Sequence, residues 1–440
     1  MQNNKVSILF LIQLFDSKTL LDSAGYNEIL KPLTSSTAVS EHQCYSWGGN
    51  NQSTLLYLKQ KFKIICTHVA QTPVCIYGAG AHTDGLWSQF KSLNVIQIAD
   101  KQAEELNPFK FNIPVVTPDA ITTDTIIISS RAWEESIFEE LTTLYPDKTI
   151  LKLYDEYELF IYKQNQFHLD EILKQYANQH FDLIIYTPSE PSDTLNPEQL
   201  KALKTLSEKL SIVWWDYDDT SEDNVYTRFE IDSLKVADHI IDPGNYTKTR
   251  KMLECQFPYE HHPHTDKIIL APTPVDPELF YPREKEVDVA IFGSAVGLRK
   301  KWIDALKKRF PSHFHHFGGV GIGYTPLPMN EYAALMGQTR IIVNSQTYSF
   351  RTQCKGKVRE ALASGCLLIE EDCYDTRQFI GEQTFVKYYQ NEEQLFEIIS
   401  YYLAHPEQCQ KLAQQGYQWY LKHAAPQAWS DTLLTSFKME

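Results

Sequence analysis

Apolar and polar positions alternate along this chain in short blocks, which predicts strands and helices in turn. In the first third, apolar runs predict strands at 74–77, 94–99, 114–116, 125–128 and 149–153. Amphipathic stretches between them predict helices at 83–93 and 132–144. Before these, residues 5–31 are predicted as one or two helices and residues 53–62 as another. This alternation predicts a small parallel α/β module over residues 1–160.

Two further blocks of the same kind follow. Between residues 161 and 281 the predicted strands are 181–186, 211–215, 239–241 and 267–270, with helices at 197–209 and 229–237. The proline-rich stretch 272–282 is predicted to be extended and stiff, which suits a crossing between domains. A strand at 287–292 and an apolar stripe at helical spacing over 393–405 then indicate a third α/β domain over 282–440. The predicted fold class is therefore α/β throughout.

The segment 354–369 carries the most informative chemistry. Its pattern predicts a loop, a short helix that ends at Gly365, and a buried strand. Lys355, Lys357 and Arg359 crowd the first turn of this helix, although the free N–H groups there already make it positive. Such repulsion is tolerated where an anion is bound, and phosphate is the usual one. The alternative is a solvated basic loop before a core helix.

A second basic helix start lies upstream. The strand at 287–292 ends in Gly293 and Ser294, and the following helix carries Arg299 in its first turn. Glycine lets backbone N–H groups come close to a ligand, and arginine binds phosphate oxygens through two parallel hydrogen bonds. These three residues are therefore candidate ligands of a phosphate group, although a turn of this composition is a weak signal alone.

Three carboxylates, Asp216, Asp218 and Asp219, follow the predicted strand at 211–215. Ligands of open α/β sheets collect at the carboxyl ends of the strands. We therefore take these acids as candidate catalytic residues, with Asp218 or Asp219 as general base or hydroxyl ligand. The alternative is a helix N-cap followed by a solvated acidic loop.

A Gly-Ala-Gly turn at Gly78 and Gly80 follows the predicted strand at 74–77. Asp100 stands about twenty residues later, which partly fits the dinucleotide-binding fingerprint. Thr83 replaces the third glycine of that pattern. The turn is a possible nucleotide-binding turn, and the alternative is a tight structural turn.

Composition narrows the class of partner. The 440 residues carry a net charge of -15, which argues against a general binder of nucleic acid or of anionic membranes. The eight cysteines show no CxxC pair, as expected in a reducing compartment. No apolar run approaches the roughly 20 residues that span a bilayer. We therefore expect a cytoplasmic protein without an integral membrane segment.

The two basic helix starts and the apolar stripe after residue 392 resemble the C-terminal half of group 1 glycosyltransferases of the GT-B fold. Within that group the chain is most similar to the spore-maturation (CgeB-like) relatives, over residues 180–440. The resemblance implies two facing Rossmann-like domains, at 161–281 and 282–440, preceded by the small α/β module. The stretch 272–282 resembles the crossing between those domains.

The resemblance also implies roles for single residues. Glu360 matches the Glu that binds the donor ribose, whereas Thr352 stands where a second Glu is usual. Gly318 matches a Gly-rich strand end that borders the donor base, and Asn344 stands where relatives often carry Asn. Relatives generally bind the nucleotide through helix N-termini and basic residues, so we expect no metal and no cofactor.

The expected activity is transfer of a sugar from a nucleotide-diphosphate sugar to an unknown acceptor, which could be a glycan, a protein or a small molecule. The donor would bind the 282–440 half, with Arg299 and Lys357 on the leaving diphosphate, and the acceptor would enter near Asp216 to Asp219. The first domain resembles small Rossmann-like modules of sugar-modifying enzymes, through Ile-x-Gly-x-Gly-x-His at 76–82 and Ile-Ile-Ser-Ser at 127–130.

Two other functions stay open. One is an NAD-dependent sugar oxidoreductase or epimerase that uses the turn at Gly78 and Gly80, although the first domain shows no Tyr-x-x-x-Lys pair. The other is a non-catalytic nucleotide-sugar-binding protein, which Thr352 suggests.

Overall fold

Three sheets, almost entirely parallel, organise the described part of the chain. The computed structural model describes residues 5–14, 19–48, 50–131, 133–189, 194–214, 228–244, 265–318, 327–347 and 353–437. The chain divides into two compact units, of which the larger combines Met1–Gly49 with Leu169–Glu440 and the smaller is Asn50–His168. The predicted α/β class with Rossmann-like parallel sheets is confirmed.

The elements of the described residues are numbered in chain order. The strands are Val6–Leu14 (β1), Val39–Gly48 (β2), Val74–Tyr77 (β3), Val95–Ala99 (β4), Phe109–Lys110 (β5), Ile113–Val116 (β6), Thr125–Ile128 (β7), Thr149–Leu151 (β8), Phe181–Thr187 (β9), Ser207–Val213 (β10), His239–Asp242 (β11), Ile268–Leu270 (β12), Val287–Phe292 (β13), Phe314–Phe317 (β14), Thr339–Asn344 (β15), Leu367–Glu371 (β16) and Lys387–Tyr389 (β17). The α-helices are Lys31–Thr34 (α1), Asn50–Val69 (α2), Ala81–Phe90 (α3), Glu134–Leu144 (α4), Tyr157–Gln175 (α5), Pro197–Leu203 (α6), Arg228–Val236 (α7), Gly297–Arg309 (α8), Met329–Gln338 (α9), Gly356–Ala363 (α10), Tyr374–Ile380 (α11), Glu392–Ala404 (α12), Pro406–His423 (α13) and Pro426–Ser436 (α14).

The first sheet of the larger unit has the strand order β12-β11-β10-β9-β1-β2, and all its pairs are parallel. Its β1 strand lies between β9 and β2, with Leu9 opposite Ile184 and Gln43. Leu9 packs in the core on one face of the sheet, and Phe10 packs in the core on the other. Such burial on both faces is usual for an inner strand of a parallel sheet.

This arrangement corrects the predicted first boundary. Residues 5–31 were expected to form one or two helices inside a module over 1–160, but their first part is strand β1 of the sheet that also holds β9 to β12. The smaller unit begins only at Asn50. An apolar run that is buried on both faces lacks the period-2 alternation, so its pattern does not separate a buried strand from a buried helix.

The second sheet of the larger unit has the parallel order β14-β13-β15-β16-β17. One face is covered by a core that includes α9 and α10, and the other by a core that includes α8 and α12. The predicted strand at 287–292 and the predicted stripe at 393–405 are confirmed as β13 and α12. Gly365, with a φ of 60°, follows α10 where the sequence predicted the end of that helix.

The chain passes between these two sheets twice. The first crossing runs from β12 to β13 through the proline-rich stretch. After α13 the chain returns, and Trp429 and Leu433 of α14 pack in the core of the first sheet. The indole N–H of Trp429 donates to the carbonyl oxygen of Ala271 at 3.3 Å, which ties the last helix to the start of the first crossing.

The smaller unit has its own sheet, in the order β5-β6-β4-β3-β7-β8. Its five parallel strands follow the 3-2-1-4-5 order of a doubly wound fold when they are counted along the chain, and β5 is antiparallel to β6. The predicted strands at 74–77 and 125–128 are confirmed as β3 and β7.

Two further findings concern the described residues only. None of their helices has both the length and the apolar character that crossing a membrane requires. The seven cysteines among them are free thiols.

Candidate functional site

Two helix N-termini meet over a glycine at the carboxyl end of β13. Gly293 has a φ of 109°, in the region that side chains disfavour. A Cβ placed there would lie 3.3 Å from Nη1 of Arg299 and 3.4 Å from Cε of Lys357. The missing side chain therefore lets two predicted cations, one from α8 and one from α10, approach the same backbone turn.

Arg299 is only 7 % exposed, and several acceptors hold its guanidinium in place. Its Nη1 donates to the carbonyl oxygen of Ser294 at 3.3 Å. Its Nη2 lies 3.4 Å from the carbonyl oxygen of Ser345 and 3.3 Å from the Oγ1 of Thr347. A guanidinium fixed in this way loses little further conformational entropy when it binds an anion.

Lys355 and Lys357 flank the start of α10 on the same side as Arg299. The ammonium of Lys355 donates to the Oγ1 of Thr347 at 3.0 Å, so it shares this acceptor with Arg299. The ammonium of Lys357 lies 5.6 Å from the ring centroid of Tyr332, within range of a cation–π contact. Arg299, Lys355 and Lys357 are called the basic cluster below. Their like charges repel one another, and a bound anion would relieve that repulsion.

Arg359 points elsewhere. Its Nη1 donates to the carbonyl oxygen of Pro243, just after β11 of the first sheet, at 3.2 Å. Residues two apart on a helix lie on nearly opposite sides, so Arg359 cannot face the way Lys357 does. The two sheets meet here, because the amide of Cys354 donates to the carbonyl oxygen of Gly244 at 2.9 Å. Sequence reasoning grouped Arg359 with the two lysines, and the structure places it apart from them.

Glu360 is half-buried and oriented by a tyrosine from α9. The hydroxyl of Tyr332 donates to Oε2 of Glu360. Burial, and then the charge of Glu360, hold the pKa of Tyr332 well above its usual value, so the phenol stays a proton donor. Tyr332 packs edge-on against Phe292 of β13, with ring centroids 5.2 Å apart. Sequence reasoning missed Tyr332, whose only signal is its place on an amphipathic helix.

Asn344 is the last residue of β15, and its side chain forms a hydrogen bond with a buried acid. Its Nδ2 donates to Oε2 of Glu370 on β16 at 2.8 Å, and the hydroxyl of Thr376 donates to Oε1 of Glu370 at 3.2 Å. Burial raises the pKa of Glu370 to about 8, against the opposing effect of these two hydrogen bonds. The carboxyl group of Glu370 is therefore largely protonated at neutral pH.

We expect the stability of the larger unit to fall as the pH rises from about 4.5 to about 8, by at most about 1.4 kcal/mol per pH unit from Glu370. The folded state binds the proton more tightly than the unfolded state in this window, and above it both states are ionised. Urea unfolding at several pH values measures the slope. Glu370→Gln should flatten it, and an equal slope in the parent and the variant would contradict the assignment.

Gly318 directly follows β14. Its φ is 73°, and a Cβ there would meet none of the described residues within 4 Å. The imidazole of His316, two residues earlier, lies 2.7 Å from the carbonyl oxygen of Gly293 through Nε2, so the ends of β13 and β14 are joined. Burial lowers the pKa of His316, which favours the neutral ring.

Several predicted residues lie outside the described residues. They are the candidate catalytic acids Asp216, Asp218 and Asp219, together with Thr352. Among the described residues, no group of three or more His, Cys, Asp or Glu side chains could hold a metal ion.

Neighbouring residues of the smaller unit contact the backbone of its Gly-Ala-Gly turn directly. Gly78 has a φ of 112°, and a Cβ there would lie 2.9 Å from the carbonyl oxygen of Ser129. The carboxylate of Asp100 accepts a hydrogen bond from the amide of Ala79 at 2.7 Å. The Thr83 hydroxyl donates to the carbonyl oxygen of Gly78, where the fingerprint would have a third glycine. A Cβ at Gly80 would meet no atom of the part of the chain that the structure describes within 4 Å.

The family comparison concerns the half of the larger unit that holds the basic cluster. Residues 284–435 match a family model described as glycosyl transferase-like. The match begins just before β13 and ends within α14. No curated protein matches the sequence. The second sheet and its helices therefore form a domain that matches a glycosyl transferase-like family model.

Three solved structures align weakly with the chain. The sucrose-phosphate synthase of Thermosynechococcus elongatus is 11% identical with a TM-score of 0.42, over 84% of this chain and 98% of that one. A glycosyltransferase from Rickettsia africae is 13% identical with a TM-score of 0.43, over the same two shares. HepE of Anabaena in complex with UDP is 10% identical with a TM-score of 0.43, over 84% of this chain and all of that one. Similarity at this level does not distinguish one activity from another.

Proposed function

We propose that the chain transfers a glycosyl group from a nucleoside-diphosphate sugar, and that the basic cluster binds the diphosphate. The observation that carries this proposal is the approach of Arg299 and Lys357 to Gly293 at the carboxyl end of β13. Ligands of parallel α/β sheets collect at such strand ends, and the N-termini of α8 and α10 add their dipoles there.

Stabilising the negative charge that develops on the leaving group is the main catalytic contribution of this arrangement. As the bond from the anomeric carbon to the diphosphate breaks, negative charge grows on the diphosphate oxygens. Arg299 and Lys357 already lie over the turn, so little reorganisation is needed to stabilise that charge. Loss of the diphosphate from an uncharged surface would lack this stabilisation. The acceptor side, with Asp216, Asp218 and Asp219, is assigned from the sequence alone.

A thermal-shift screen tests the proposal directly. A ligand that binds only the folded state raises the melting temperature by mass action. At least one of UDP, GDP and CDP, or of their sugar conjugates, should stabilise the protein, and NAD should not. No shift with any diphosphate nucleotide would contradict the proposal.

We further propose that Glu360 binds the donor ribose and that Tyr332 positions it. Glu360→Gln should reduce affinity for a ribonucleotide by about 1.5–3 kcal/mol, the usual value of a hydrogen bond to a charged group, and should affect the 2′,3′-dideoxy counterpart much less. Tyr332→Phe should weaken the same preference by a smaller amount, because the carboxylate stays but loses its donor. Calorimetric titration with both nucleotides measures the difference, and equal losses for both would make Glu360 structural.

Finer assignments remain proposals. We assign the chain to the spore-maturation (CgeB-like) subgroup because of the basic helix start and the Gly293 turn. We propose a cytoplasmic location because the cysteines of the described residues are free thiols. For the turn at Gly78 and Gly80, the two predicted alternatives are a nucleotide-binding turn and a structural turn. Because Asp100 already takes the amide of Ala79 that a pyrophosphate would use, we favour a structural role for this turn over the oxidoreductase alternative.

A further inference from the structure

A cavity of about 730 Å³ lies in the larger unit where the chain passes twice between its two sheets. Its walls come from residues 27–35 after β1 and from the two crossings between the sheets, at 273–280 and 425–427. The first turns of α9 and α10 complete the lining. This volume falls within the range of about 300–1,000 Å³ that is usual for small-molecule sites.

The charge of the lining disfavours a phosphate group, which is the ligand proposed for the basic cluster. Four carboxylates line the cavity, from Glu28, Asp276, Glu278 and Glu360. Two cations, Lys31 and Arg359, line it as well, and Lys31 is paired with Asp276 at 3.0 Å. The lining is thus net negative, so a phosphate is disfavoured and a neutral or cationic ligand is favoured.

The rest of the lining suits a sugar. The apolar side chains of Phe280, Pro274 and Met329 offer flat or soft surfaces for C–H groups. Amide side chains of Asn27 and Gln427 join the carboxylates as hydrogen-bonding groups. A pyranose presents C–H groups on its faces and hydroxyls around its edge, so it needs both kinds of wall.

The cavity also adjoins the proposed donor site. Tyr332 has the ammonium of Lys357 5.6 Å from its ring centroid, and its hydroxyl donates to Glu360, which lines the cavity. One aromatic ring therefore separates the basic cluster from the cavity. We propose that this cavity is the acceptor subsite and takes a neutral or amino-substituted sugar. The inference rests on the proposed function, which supplies the donor.

The test fills the cavity without removing a hydrogen bond. Met329 is 59% exposed at the wall of the cavity, and Met329→Trp adds bulk there. Leu421→Trp, at an exposed position of α13 outside the lining, is the matched control. The probes are the methyl glycosides of glucose, N-acetylglucosamine and glucosamine in saturation-transfer NMR with the full chain. Affinity for at least one should fall about tenfold or more in Met329→Trp only, with UDP, GDP and CDP affinities unchanged.

A second variant keeps the proposal testable if the first does not fold. Glu278→Lys makes the lining less negative, so methyl glucosaminide should bind more weakly while methyl glucoside keeps its affinity. Binding of no glycoside to the parent, equal binding to Met329→Trp, or loss of nucleotide from Met329→Trp would each overturn the acceptor assignment. The first two results leave nucleotide binding at the basic cluster untouched, so they are distinguishable from failure of the proposed function.

Discussion

Replacing Lys357 by Ala should weaken binding of the nucleotide sugar by about 1.5–3 kcal/mol, or roughly 10–150-fold in Kd. The Cε of Lys357 lies 3.4 Å from the Cβ position of Gly293, so its ammonium is placed to reach a phosphate over that turn. Removing it takes away a charge-assisted hydrogen bond but leaves the backbone of α10 in place. Calorimetric titration with the nucleotides that stabilise the parent measures the loss.

Lys301→Ala is the matched control for this variant. Lys301 lies on α8 of the same half, its side chain is 60% exposed, and its ammonium is 3.9 Å from the carboxylate of Glu392. It carries the same charge but stands outside the basic cluster, so its removal should change affinity little. Equal losses in both variants would indicate a general effect of net charge, and unchanged affinity in Lys357→Ala would remove the residue from the donor site.

The second half of the larger unit is the part that the sequence predicts best. The strand β13, the helix α10 and the stripe of α12 each combine a clear apolar period with a local stop signal, such as Gly365 after α10. The signals for each of these elements lie within its own stretch of sequence, so its bounds can be predicted from that stretch alone.

The position of residues 1–49 could not be predicted from such patterns. β1 and β9 are about 175 positions apart, and Ser7 donates to Asp182 across this separation. Nothing in either segment alone indicates that the small α/β unit is inserted between two parts of one sheet. The interpretation of a leading module was wrong because it assumed that neighbours in sequence share a sheet.

The charges of the proposed donor site were predicted from the sequence, but its geometry was not. Lys357 was singled out because cations crowd the first turn of its helix, and Arg299 because it follows a glycine-containing turn; both side chains approach Gly293. Thr347, which holds two of the cations, comes from another element and gives no local signal. The only signal of Tyr332, which holds Glu360, is its place on an amphipathic helix. Arg359 looks equivalent to its neighbours in sequence, yet helical geometry turns it toward Pro243.

The acceptor side offers the largest expected effect. Asp218→Asn or Asp219→Asn should lower the rate of glycosyl transfer by about 10²–10⁴, which is the usual contribution of a general base. An amide keeps the size of the side chain but cannot take the proton from the acceptor hydroxyl. Since neither acid belongs to the proposed donor site, nucleotide affinity should stay at the parental value.

Glu208→Gln is the control for these two variants, because Glu208 is an exposed acid near the start of β10, at the opposite end of the strand that leads to Asp216. Transfer rate at saturating donor and donor affinity are measured separately for all three variants. A lower rate in one Asn variant with unchanged donor affinity assigns the base to that position. Parental rates in both would make the carboxylates a capping loop, and a loss of donor affinity would instead place the loop at the diphosphate.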